Sequence, residues 1–161
     1  MAADASDTAD REIVVSRIIE GPRRLVFAAF TNAAHLAKWC APKGGEITTH
    51  AFDFRPGGMW DATIHGPDGS AYPNHWQWQE IVPPERIVWL YGSGRDDSNA
   101  VPTTLTLVER GDVTEVTLRI RFASKEERDQ RVAKYAAAQG ARHTLDQLAA
   151  YVATTTAGER R

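Results

Sequence analysis

The side chains best equipped for chemistry in this chain are five histidines, one cysteine and an aspartate placed to face one of the histidines. His35, His50, His65, His75 and His143 include no helical i, i+4 pair with an acid between, the spacing that would seat a catalytic metal, so no metal site is expected. If the Pro67-Asp68-Gly69 turn sits at the centre of a hairpin, Asp61 faces His75, as a general-base pair would. Strand alternation puts both on the outer face of the sheet, where a solvated cross-strand pair explains them, and no catalytic residue is assigned. Cys40 follows Trp39 with no histidine nearby in sequence to activate it, which reads as a buried, inert thiol. Gly57-Gly58 is turn chemistry rather than a phosphate loop, because a strand follows and no lysine accompanies it.

A denser signal is aromatic. The stretch NHWQWQEIVPPERIVWLYG, from Asn74 to Gly92, carries Trp76, Trp78, Trp89 and Tyr91 around a Pro-Pro turn. The first turn pairs Trp60 with Trp76 and Ile64 with Tyr72; the second pairs Trp78 with Trp89, Trp76 with Tyr91 and Glu80 with Ile87. Trp60, Ala62, Ile64, Tyr72, Asn74, Trp76, Trp78, Glu80, Trp89 and Tyr91 then share one face, and Asp61, Thr63, His65, His75, Gln77 and Gln79 share the other. Wide rings opposite an alanine-rich helix either interdigitate or leave a void. Ligand pockets are mostly apolar with a few placed polar groups. The candidate ligand contacts are therefore Trp39, Trp60, Tyr72, Asn74, Trp76, Trp78, Glu80, Trp89 and Tyr91. Ordinary core packing is the competing explanation for any one ring.

Those side chains need a frame. At 161 residues and 42% hydrophobic the chain fits one domain, and 19 basic against 21 acidic side chains leave no basic field for nucleic acid or an anionic membrane. There is no apolar run long enough for a membrane span, and MAADASDTADRE lacks the features of a secretory signal, so the expected location is cytoplasmic. Residues 1–10 and 154–161 read as polar tails around a domain at 11–153. EIVVSRIIEG reads as a strand, PRRLVFAAF as a helix with Pro22 in its first turn, and Asn32 as the cap of a second short helix. Turns at Pro-Gly-Gly, Pro-Asp-Gly and Pro-Pro divide the middle into antiparallel strands. VPTTLTLVE and TEVTLRIRF form a last hairpin, with Val101, Leu105, Leu107, Val116, Leu118, Ile120 and Phe122 inward. Ser124 and Glu127 make a capping box for a helix to Val152, whose stripe Ala138, Ala141, Leu145, Leu148, Val152 lies on one face.

Together GPRRLVFAAFTNAAHLAKWCAP, DFRPGGMW, GPDG, EIVPPERIV and LDQLAAYV, within Arg11 to Val152, resemble the activator-of-heat-shock-protein-ninety-ATPase homologues of the START-like, or SRPBCC, superfamily. The resemblance implies an α+β helix-grip fold: a curved antiparallel sheet of about seven strands around a long C-terminal helix, with two short helices after the first strand. It implies binding of a hydrophobic small molecule without a cofactor, with a polyketide-cyclase-like enzyme or a chaperone-interacting module as alternatives and a homodimer as a further arrangement. Relatives often carry an aromatic where this chain has Cys40, and a tryptophan where it has Ala141, while Trp76 takes a place often held by a small residue.

Overall fold

The computed structural model describes residues 11–41, 44–92, 101–135 and 137–159. Strand β1 (Glu12–Glu20) is followed by helices α1 (Arg23–Ala28) and α2 (Ala33–Trp39). Next come β2 (Glu46–Phe52), β3 (Met59–His65), β4 (Ala71–Val82), β5 (Arg86–Gly92), β6 (Val101–Arg110) and β7 (Val113–Arg121). Helices α3 (Lys125–Tyr135) and α4 (Ala137–Glu159) complete the chain. The strands form one seven-stranded antiparallel sheet in the order β1-β7-β6-β5-β4-β3-β2, a meander whose first strand crosses over to the far edge beside β7. This is the helix-grip α+β fold, with the C-terminal helix held by the curved sheet.

Local sequence explains the joints. The Asn32 side chain accepts from the Ala34 amide at 2.7 Å and so caps α2 as expected. Pro22 stands one place earlier than expected, as the extended N-cap of α1. Ser124 Oγ accepts from the Glu127 amide at 3.1 Å, and the Glu127 carboxylate accepts in return from the Ala123 amide at 3.0 Å, which satisfies two donors at the start of α3. The single helix expected from Ser124 to Val152 is two elements, α3 and α4, with residue 136 outside those described, and α4 runs on to Glu159, through residues read in the sequence as a polar tail. Residues 1–10, read as the other tail, lie outside those described.

The inner face of the sheet and the apolar stripe of α4 make one core. Ile13, Val15, Leu105, Leu107, Val116 and Leu118 from the sheet are buried with Ala141, Leu145, Leu148 and Val152 from α4. At the β1 edge Arg17 bonds Asp146 of α4. Gln147 Nε2 donates to the Ala41 carbonyl at 2.7 Å and to the Trp39 carbonyl, taking up acceptors that the end of α2 leaves unpaired. His35 of α2 bonds the Tyr151 hydroxyl. The Gln147 and His35 bonds fix α2 against α4.

Candidate ligand site

The register around the tryptophans follows from the turns. Asp68 Oδ1 accepts from the Ser70 amide at 3.0 Å and from the Ser70 hydroxyl, which holds its carboxyl below the usual carboxylate range, and Gly69 takes a positive φ that a side chain would strain. From that turn β3 and β4 pair Trp60 with Trp76, Ala62 with Asn74 and Ile64 with Tyr72. Beyond β3 the ladder continues through the Pro-Gly-Gly turn, where Gly57 donates to the Trp78 carbonyl and Trp78 donates to the Gly58 carbonyl. Only a glycine fits at 58, since a Cβ there would lie 2.2 Å from the Asp53 carbonyl oxygen. Across the next turn Trp78 pairs with Trp89 and Trp76 with Tyr91. All these pairs are the ones the alternation requires.

Glu80 departs from it. A bulge between Trp78 and Glu80 inserts Gln79 into the ladder, so that Glu80 pairs with Val88 and Ile81 with Ile87. One extra residue reverses which face every later side chain of β4 takes. Glu80 is consequently on the outer face, half-exposed and bonded to Arg86, and does not belong to the ring face.

The other rings form a continuous cluster. Trp76 stacks on Trp89 with centroids 4.4 Å apart and planes 8° from parallel; Trp60 meets Trp76 edge-on at 5.0 Å, and Trp78 meets Phe54 edge-on at 4.8 Å. Phe30 of α1's C-terminal turn links Trp89 to Trp39, which is buried and donates its indole N–H to the Ala29 carbonyl at 3.0 Å. Trp39 is thus packed into the core at the end of α2. Trp60 gives its N–H to Thr49 Oγ1 at 3.1 Å. Thr49, Phe52 and Phe54 were not picked out from sequence. Strict alternation would have separated Thr49 from Phe52; a bulge at His50 brings both to the ring face, where Phe52 pairs with Trp60 and Thr49 with Ala62.

Two features set this face apart from a closed core. Among the described residues, the indole N–H groups of Trp76 and Trp78 are enclosed with no acceptor, at a cost of about 1–3 kcal/mol each. Secondly, the face opens at one end. Tyr72 and Tyr91 lie on the same side as the buried tryptophans yet are 55% and 41% exposed, while Asn74, between Tyr72 and Trp76 along that face of β4, is 3% exposed.

On the outer face Asp61 and His75 do pair, through the carboxylate and Nδ1. The pair is not solvated as a whole, because His75 is 3% exposed and its Nε2 is enclosed without a partner among the described residues. Alternation tells which face a residue takes, not what covers that face. His50 bonds Thr63 and His65 bonds Thr48. No group of histidine, cysteine and carboxylate side chains among the described residues could hold a metal ion. Burial pushes the Cys40 thiol far up, so it is not a thiolate at neutral pH. No described helix is long and apolar enough to cross a membrane.

Known proteins agree with this architecture. A protein from Nitrosomonas europaea superposes with a TM-score of 0.82 at 23% identity, covering 92% of this chain and 98% of its own. One from Mycobacterium smegmatis gives 0.80 at 24% identity over 92% and 95%. An AHSA1-like protein from Aeromonas hydrophila gives 0.71 at 17% identity over 90% and 94%. At such identities the likeness speaks for the fold. A search of curated proteins gave no significant match. The family profile of activator of Hsp90 ATPase homolog 1-like proteins matches residues 20–153, and the chain belongs to that family, within the START-like superfamily.

Proposed function

We propose that the protein binds a hydrophobic, ring-containing small molecule at the open end of its inner sheet face, between Tyr72, Asn74, Tyr91 and Trp76. The exposure of Tyr72 and Tyr91 carries the reading, since two large rings on the face that builds the core are left accessible. A ring-shaped ligand seated there would cover both and continue the Trp76–Trp89 stack outward, and offset or edge contacts between rings add to plain apolar burial. Trp60, Trp78 and Trp89 support the site from behind. With Glu80 on the outer face, the polar side chains of the described residues at this end include Asn74, Thr49 and the tyrosines, a set suited to holding a molecule rather than transforming it.

Titration with a panel of apolar aromatic compounds, read by tryptophan fluorescence, tests this. Saturable changes are expected, with affinity little altered between low and high salt because Tyr72, Asn74, Trp76 and Tyr91, which form the site, carry no charge at neutral pH. A panel that leaves the emission unchanged refutes it.

A further inference from the structure

The unpaired donors beside the opening carry information about what enters it. Trp76 is the buried tryptophan adjacent to the mouth: it pairs with Tyr91 across the strands, its ring lies 6.5 Å from that of Tyr91, and Asn74 precedes it on the same face of β4. Its Nε1 is enclosed and has no acceptor among the described residues. An indole nitrogen donates and never accepts, so the group that completes it must be an acceptor. Asn74, one step away along the face at roughly 7 Å, can donate and accept, and so tolerates either partner.

We propose, on the binding reading above, that the ligand carries a neutral hydrogen-bond acceptor, a carbonyl-type oxygen on a flat ring system, which takes the indole N–H of Trp76 beside Asn74. Neutrality follows from the donors: an indole and an amide bring no charge, and a carboxylate drawn among the rings would lose its hydration with no counter-ion beside Trp76 and Asn74 among the described residues. Flatness follows from the 8° stack of Trp76 on Trp89, because a flat ring is the shape that would extend such a stack toward Tyr72 and Tyr91. In the packing described, the Trp76 N–H is covered by protein atoms. Entry of the ligand therefore shifts this ring, and the new hydrogen bond replaces one that the closed packing fails to make.

A matched pair of probes separates the two claims. 9-Fluorenone and fluorene have the same ring frame and differ by the carbonyl oxygen. Binding is measured by calorimetry, and the indole N–H signals of ¹⁵N-labelled protein are followed by NMR. The expected result is that fluorenone binds about tenfold or more tightly than fluorene and moves the Trp76 indole signal downfield, while fluorene binds without that downfield move. Equal affinities with the Trp76 signal unmoved would overturn the acceptor while leaving apolar binding intact. Binding of neither would overturn the binding reading itself. In Trp76→Phe, checked for folding by circular dichroism, the preference should shrink to within about twofold. A folded variant that keeps the full preference overturns the assignment to Trp76, and if the variant does not fold the wild-type NMR shift decides.

Discussion

Replacing Trp89 by alanine should cost far more stability than replacing Gln77, although the two stand on neighbouring strands of one sheet. Trp89 is buried among Trp76 at 4.4 Å, Trp78 at 6.0 Å and Phe30 at 6.2 Å, so its loss leaves a hole bordered by three rings that cannot all close in. Truncations of this kind cost about 3–5 kcal/mol. With a urea slope of about 1–3 kcal/mol/M, the midpoint of unfolding falls by roughly 2 M. Gln77 pairs with Leu90 on the opposite face, and its change to alanine should stay within about 0.5 kcal/mol. Unfolding followed by far-ultraviolet circular dichroism avoids relying on the emission of the mutated ring. The Trp76→Ala, Trp89→Ala double variant adds a check, as stacked partners should show a coupling of about 0.5–1.5 kcal/mol. A Trp89→Ala midpoint indistinguishable from that of Gln77→Ala would refute the assignment of the rings to the dry face.

Other outcomes follow from single contacts. Because burial raises the Cys40 thiol, the folded protein keeps a proton that the unfolded chain releases above about pH 8.5. Its contribution is complete below that pH and falls above it by at most about 1.4 kcal/mol per unit, a slope that Cys40→Ala should remove in urea titrations between pH 8 and 9.5. The same thiol, partly buried and held protonated, should react with a disulfide reagent more slowly in the folded protein than in the unfolded chain. Glu80→Gln should alter stability by less than about 1 kcal/mol and leave ligand affinity unchanged, since its partner Arg86 and its surroundings are at the surface. Gly58→Ala should cost well over the roughly 1 kcal/mol typical of point changes, visible as a large drop in melting temperature, because the added carbon meets the Asp53 carbonyl.

The register of the ring face was readable because two turns of recognisable chemistry fix where opposite residues meet, and a wrong register would have put three tryptophans in water. Trp60 against Trp76 and Trp78 against Trp89 are the direct outcome. Glu80 was misplaced because a one-residue bulge leaves no mark in composition: Gln79 looks like any outward strand residue, and only the backbone shows it as the extra one. The exposure of Tyr72 and Tyr91, and the enclosure of His75, depend on which parts of each face other segments cover, a property of the assembled fold that alternation within a strand does not contain. Trp39 illustrates the same limit, since its acceptor, the Ala29 carbonyl, comes from the turn of chain that closes the preceding helix.

The sheet is open, with β1 and β2 as its two margins, and each margin offers backbone groups that another chain could extend. Both are spoiled for that purpose. On β2 the ladder is interrupted at His50, so a straight strand laid alongside would fall out of step. On β1 the charged Arg17 sits on the inner side and is held there by Asp146 of α4, which places an ion pair where a stacking neighbour would need apolar contact. The exposed Val14 and Ile18 on that strand can therefore remain at the surface without inviting growth of the sheet from one molecule into the next.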